Sequence, residues 1–449
     1  MSRQSAPGNE RACEAGLRPE AASGHRNNRL MNLFRPLGHR PFALLWSGQA
    51  TSRLGDSLYR IALAWWVLEK TGSATAMGAV LVFSSVPMLI FLLLGGVATD
   101  RLPRLRVMFA SDTLSGLVVA AVAILAFSGQ LQVWHIYLAS ITFGMVRAFF
   151  LPAYTATIPE ITPREILPSA NSLTSLSQSA AGVIGPAVGA AIVALSGTAL
   201  AFGLDALSFF ISAGCVLPIL WTNPAFNLAP RASAAEGGTP PAGGRKGLRS
   251  VVDEFLEGFK TVMGSPWLWV SIAIFSLINV TLDGPQGVSL PFLVKEHLHA
   301  GVGTLGLFAS MSSAGFAVGA LWLGSLARIR RRGLLLYLGI LLAGVSLAVF
   351  GLSVFVPFLA AAAFLGGLFI SVGSLIWTNS LQELVPRQLL GRVSSIDALG
   401  SFVLLPIGYG IVGWATDRIG APSVFVLGGV ATFTLALLAL LHPAIRGLD

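Results

Sequence analysis

Arg53, Asp56 and Arg60 stand at i, i+3 and i+7 inside the first long apolar run of the chain, about 42–68. On a helix the three share one face, and Asp56 can reach both arginines. A run of that length crosses a hydrocarbon core of about 30 Å, with Asp56 near its centre. Each charge at that depth costs roughly 2.5–3.5 kcal/mol on insertion scales, so such groups face a bundle interior or a watery cavity. Two roles fit: an ion pair that locks the helix, or a substrate and proton pathway. A carboxyl held between low dielectric and two arginines can change its protonation when water access changes, which ion coupling requires.

Other polar groups sit at similar depth. Asn279 and Asp283 lie one turn apart in the seventh run, followed by Gly284-Pro285 and Gln286. A helix interrupted beside polar groups at mid-depth points to a transport site, and Asp283 is the alternative proton carrier. Arg147 adds a cation in the fourth run, and Asp205, about two turns from the outer end of the sixth, adds a carboxylate that is either cavity-lining or merely hydrated.

These residues are positioned by an all-α membrane scaffold. Of the 449 residues, 54% are hydrophobic and only 11% charged, which excludes an ordinary soluble domain. Twelve runs of spanning length occur, at about 42–68, 76–98, 106–128, 134–156, 171–195, 199–220, 267–294, 302–327, 333–355, 357–381, 393–415 and 421–443. Strand-like alternation is absent, so a β-barrel is not expected. With the N-terminus inside, 23 of the 29 Lys and Arg fall in cytoplasmic tails and loops. This asymmetry places both termini in the cytoplasm of a cell-membrane protein. The net charge of +9 then reflects topology and contact with anionic lipid, not nucleic acid.

The chain repeats itself. Glu160, Pro163, Arg164 and Leu167 recur as Glu383, Pro386, Arg387 and Leu390, displaced by the same interval of about half the chain and six runs apart. The expected organisation is a polar tail over 1–40, a six-helix bundle over 41–220, a linker over 221–266, a second six-helix bundle over 267–443 and a short tail over 444–449. The linker is rich in Pro, Ala and Gly before an apolar stripe of Val251, Val252, Phe255, Leu256 and Phe259, which reads as an amphipathic helix on the membrane surface. Residues 1–30 are either a disordered tail or sequence preceding a true start at Met31. Cys13 and Cys215 offer no structural disulfide.

Between the second and third runs the chain reads Gly96-Val-Ala-Thr-Asp100-Arg101-Leu-Pro-Arg104-Leu-Arg106. An ion pair there could latch one conformation, with Asp112 pairing to the same arginines and Asp397 placed similarly beside Arg392. The turn resembles the G-x-x-x-D-R-x-G-R signature of the major facilitator superfamily, departing at Pro103. Ser52-Arg-Leu-Gly-Asp-Ser-Leu-Tyr-Arg60, Phe149-Phe-Leu-Pro-Ala153, Ser169-Ala-Asn-Ser-Leu173 and Gly391-Arg-Val-Ser394 resemble its macrolide-efflux and enterobactin-exporter branch. Gly182, Gly185, Pro186 and Gly189 resemble the antiporter motif of drug exporters, beside the plainer reading of close helix packing.

The resemblance implies two six-helix bundles around a central cavity and proton-driven export of a small amphipathic compound by alternating access. Uptake of an anionic nutrient and a non-transporting receptor or assembly protein are the alternatives. No Walker motif is present, so pumping would draw on an ion gradient. No cofactor, enzymatic activity or metal site is expected, His297 and His299 lacking a third ligand. Gly301, Gly303 and Gly306 open a membrane run and follow no strand, which excludes a dinucleotide loop. A monomer working with protons, lipid and one small substrate is expected.

Overall fold

The structure is a computed structural model that describes residues 33–222, 248–326 and 330–448, with the side chains at 93, 96–100, 248–255 and 387 outside that description. Among the described residues every regular element is helical. Lipid offers the backbone no hydrogen bonds, so each apolar run satisfies its own amides as a helix. The helices are α1 (Arg40–Thr71), α2 (Ala74–Arg101), α3 (Arg104–Phe127), α4 (Val133–Ile161), α5 (Leu167–Thr222), α6 (Leu248–Met263), α7 (Pro266–Gly284), α8 (Val302–Gly324), α9 (Arg332–Leu352), α10 (Val356–Leu384), α11 (Arg387–Phe402), α12 (Leu405–Ile419) and α13 (Ala421–Leu441).

Among the described residues, ten helical stretches are long and apolar enough to span a membrane. One of them, α5, spans 56 residues and is broken at Gly197, whose φ of 82° and ψ of 172° reverse the chain. Glycine alone reaches that backbone region without a Cβ penalty, so one residue does the work of a loop. Helix α1 falls short on hydropathy because Arg53, Asp56 and Arg60 occupy its centre, yet its 32 residues cross like the others. With α5 counted twice and α1 included, the crossings number twelve.

Both ends of the described chain lie on one face. His39 Nε2 donates to the Ile161 carbonyl at the end of α4 (2.9 Å), and Gly333 at the start of α9 donates to the Leu448 carbonyl (3.2 Å). Small residues bring the crossings together in the same way in each half. A Cβ on Gly95 of α2 would strike the Ala148 carbonyl of α4, and one on Gly144 of α4 the Ser84 carbonyl of α2. Gly315 of α8 and Gly367 of α10 repeat this exchange against the Phe364 and Ser312 carbonyls. Such contacts let backbones approach where lipid supplies no hydrophobic drive.

Two expectations change in form. The chain does not break at Gly284-Pro285; α7 runs on through π-helical turns at Pro285–Ser289 and Leu293–His297, which accommodate the amide that proline lacks. The break falls instead in the eleventh crossing, between α11 and α12, where Pro406 enters the first turn of α12. The freed carbonyl of Ser401 is satisfied by Asn279 Nδ2 of α7 at 2.9 Å. The amphipathic helix α6 packs on α11: Glu257 pairs with Arg392, and Gly258 lies against Ile396 and Arg392.

Candidate functional site: a central cavity between two halves

Among the described residues, the two halves meet through α5 with α8, α2 with α12, and the outer parts of α1 and α2 with the extension of α7. These contacts run from mid-depth, where Gly182 faces Ser313, to the face opposite the termini, where Lys295 Nζ stands 5.7 Å from the Trp65 ring centroid. The cavity between the halves therefore opens toward the face that carries the termini.

Asp56 and Asp283 are reached by water although protein surrounds each of them, the signature of a side chain lining an internal cavity. They come from opposite halves. Arg60 and Arg147 are exposed near Asp56, and Arg53 there is half-buried. The direct Asp56 ion pairs allowed by helical spacing do not form. Arg53 stacks its guanidinium over the Tyr154 ring at 5.2 Å, and Arg60 Nη2 donates to Ser57 Oγ at 3.1 Å. Asp56 feels Arg60, Arg147 and Arg53 through space, so its carboxylate is compensated without being locked. Tyr409 of α12 feels both Asp283 and Arg147, linking the charges across the cavity. Asn279 is half-buried and committed to Ser401, which makes it a brace for the bent eleventh crossing.

Gln286 is exposed beside an apolar recess of about 250 Å³ inside the C-terminal half. Phe308, Phe350 and Phe425 line it, with ring centroids 5.2 and 5.5 Å apart along that series. Ser312 and Ser346 add polar atoms. Aromatic walls with few polar groups suit a lipophilic ring system.

Three carboxylates lie elsewhere than the sequence suggested. Asp205 is neither cavity-lining nor hydrated; it is 1% exposed, packed behind α1. The absent side chain of Gly55 makes that room, since a Cβ there would stand 2.5 Å from Asp205 Oδ1. Asp112 turns away from the loop arginines and accepts from Ser212 Oγ (2.7 Å) and Gln49 Nε2 (3.2 Å), while Gln49 also donates to Ser212 Oγ (2.8 Å). Asp397 likewise accepts from Trp377 Nε1 (3.1 Å) and Ser401 Oγ (3.2 Å). Helix spacing could not foresee Ser212, Gln49 or Trp377, because each comes from a different crossing; only Ser401, one turn from Asp397 on α11, lies at helical spacing.

Gly185 and Gly189 press against Ser57 and Leu58 of α1, and the Pro186 carbonyl faces Gly306 of α8. The glycine run is thus a packing surface, and its α8 contacts join the two halves. On the face of the termini, the side chains of Gly96 and Asp100 lie outside the described residues. Arg101 is exposed, and Arg104 Nη1 pairs with Glu160 at 3.2 Å. Its counterpart, Arg332 Nη2, pairs with Glu383 at 2.5 Å. The two glutamates are the first residues of the repeated motif, so the repeat preserves an ion pair as well as a sequence. That partnership was missed from sequence, although a glutamate recurring beside a basic loop was its signal.

Comparison with known proteins agrees with this geometry. Residues 31–240 match the family described as Transmembrane secretion effector, and residues 277–446 match Major Facilitator Superfamily. The chain belongs to the major facilitator superfamily. Within it, relatives lie in the efflux branch. The chain is 25% identical to Macrolide efflux protein A of Streptococcus pyogenes over 411 residues, 91% of this chain and 97% of that protein. It is 26% identical to Multidrug efflux pump Tap of Mycolicibacterium fortuitum, covering 91% and 97%. It is 27% identical to an Escherichia coli enterobactin exporter, covering 84% and 88%.

The fold of this facilitator is also that of a POT family transporter in complex with 5-aminolevulinic acid, with TM-score 0.72, 13% identity and coverage of 90% and 96%. A bacterial homologue of the iron transporter ferroportin, solved in an inward-facing state, aligns with TM-score 0.66 and 14% identity over 88% and 98%. The protein is a multi-pass membrane transporter of the efflux branch, and not an enzyme.

Proposed function

We propose that this facilitator exports a small amphipathic compound in exchange for protons, with both termini in the cytoplasm. The observation that carries the proposal is the pair Asp56 and Asp283, enclosed yet accessible and borne by opposite halves, with Arg53, Arg60 and Arg147 around Asp56 and Tyr409 near both Arg147 and Asp283. In this reading residues 41–220 and 267–443 form two bundles that rock about the cavity, joined by the linker 221–266. The structure then corresponds to the inward-open state, ready to load from the cytoplasm or inner leaflet. A lipophilic part of the substrate enters the recess of Phe308, Phe350 and Phe425 near Gln286, and a polar part meets Arg53, Arg60 and Arg147.

Coupling follows from charge. Arg60, Arg147 and Arg53 compensate Asp56 while it is ionised. A proton arriving from the outward-open side neutralises Asp56 and changes the charge balance that the substrate meets in the low-dielectric cavity, so loading and release depend on protonation. Asp283 takes the proton if Asp56 does not. The relatives are named for macrolides, for multiple drugs and for enterobactin.

The test is transport by purified protein in liposomes with an imposed pH gradient, using a labelled macrolide, a lipophilic cation and a catecholate as probes. Accumulation of a probe against its gradient on the acidic side supports proton-driven export. A second reading, uptake of an anionic compound, draws on the excess of three cavity arginines over two carboxylates. It predicts movement of an anionic probe together with protons instead.

A further inference from the structure

Among the contacts between the two halves at the face opposite the termini, one carboxylate makes three hydrogen bonds. Asp417, in the last turn of α12, accepts three hydrogen bonds from the start of α2. Ser73 Oγ donates to Oδ2 (2.8 Å), the Ala74 amide to Oδ1 (2.6 Å) and the Thr75 amide to Oδ2 (3.0 Å). A helix leaves its first amides without internal partners, and a side-chain acceptor normally supplies them from the preceding residue. Here the acceptor comes from the other half of the molecule, more than 340 residues away.

The position makes little sense for α12 itself. An anion in the last turn of a helix faces the negative end of its dipole and is unfavourable there, whereas at the N-terminus of α2 it meets the positive end. Asp417 therefore contributes to a contact between helices at the expense of its own. Around it the two helices touch backbone to backbone. A Cβ on Gly413 of α12 would stand 2.7 Å from the Ala74 carbonyl, and one on Gly78 of α2 would stand 2.5 Å from the Tyr409 carbonyl. The contact exists only while α2 and α12 meet, that is, while this face is closed.

We propose that Asp417 is a positioning residue for the transport cycle: a latch that caps α2 across the interface, holds the outer face shut, and must release before the cavity opens there. Opening breaks these three hydrogen bonds and leaves the exposed Asp417 and the α2 donors to water, so the latch adds to the stability of the closed state alone. Loss of a helix cap of this kind corresponds to about a fivefold change in an equilibrium, which sets the size of the expected shift. The inference does not depend on which compound is carried or on proton coupling.

The experiment needs no substrate. Spin labels at Gln130 and Val354, both exposed in loops on this face and in different halves, report its opening by electron–electron distance, with Cys13 and Cys215 replaced by alanine. Asp417→Ala is expected to raise the ratio of the long-distance to the short-distance population about fivefold. Ser73→Ala, which removes one donor and leaves the carboxylate, is expected to shift it the same way by less. In transport, Asp417→Ala should raise the apparent KM for cytoplasmic substrate more than it lowers the maximal rate, because fewer molecules present the inward-open site. An unchanged distance distribution in either variant, or a shift toward the short population, overturns the latch. Should Asp417→Ala fail to insert, the Ser73→Ala distribution decides alone.

Discussion

Gly306 of α8 offers a sharp test of how the halves close. A Cβ at this position would collide with the Ala190 methyl of α5 and stand 2.6 Å from the Pro186 carbonyl, a backbone atom that cannot swing aside. Gly306→Ala therefore forces α5 and α8 apart wherever they touch in the closed outer face. Once the halves separate there, the added methyl has space. Overpacking of this kind costs about 1–3 kcal/mol. Because one state bears the cost, the equilibrium shifts by roughly 5–150-fold toward outward-open. Alanine is also the better helix former by about 1 kcal/mol, so insertion should not suffer. Gly303→Ala, one turn earlier with nothing within 4 Å of its would-be Cβ, is the matched control. The label pair at Gln130 and Val354 reads both variants. Growth of the long-distance population in Gly306→Ala, with Gly303→Ala like wild type, is expected. Identical distributions in the two variants would show that α5 and α8 do not separate during the cycle.

Other expectations follow from the same contacts. Ser212 is fully buried and bonds both Asp112 and Gln49, so Ser212→Ala should cost about 1.5–3 kcal/mol and lower the melting temperature in detergent, with transport by the surviving protein unchanged; an unaltered melting temperature would contradict the network. Glu160→Gln and Glu383→Gln remove equivalent, partly exposed ion pairs worth about 0–1 kcal/mol each, so each alone should change transport only modestly and by similar amounts. An inactive variant in one half beside a silent one in the other would argue against equivalent roles. Asp100→Asn should slow transport without reducing protein level, and wild-type turnover would reduce that turn to ordinary loop chemistry.

Much of the fold was legible because a membrane leaves few choices: apolar runs become helices, and basic loops mark one face. The charged centre of α1 was readable for the same reason, since Arg53, Asp56 and Arg60 are costly there unless a cavity receives them. What the sequence hid was partnership. Spacing along one helix suggested that Asp56 would pair with its own arginines, whereas Arg53 found Tyr154 and Arg60 found Ser57. Asp205 looked accessible until Gly55 proved to make room for it inside the bundle. Asp417 attracted no notice, being an ordinary charge near a helix end until α2 is brought beside it. Apart from Ser57, which lies one turn from Arg60 on α1 itself, the deciding neighbour is on another crossing, and no local periodicity encodes it.

The central claim is that Asp56 carries the coupling proton, and simultaneous recording of proton and substrate movement in liposomes tests it most directly. Asp56→Asn keeps the shape of the side chain and removes its ability to ionise. The account predicts that this variant loses proton movement coupled to substrate and all accumulation against a gradient, while downhill substrate flux continues. Asp283→Asn should impair coupling less. Full coupling in Asp56→Asn, with protons still moving alongside substrate as in the wild type, would contradict the account and leave Asp56 a fixed charge of the cavity wall.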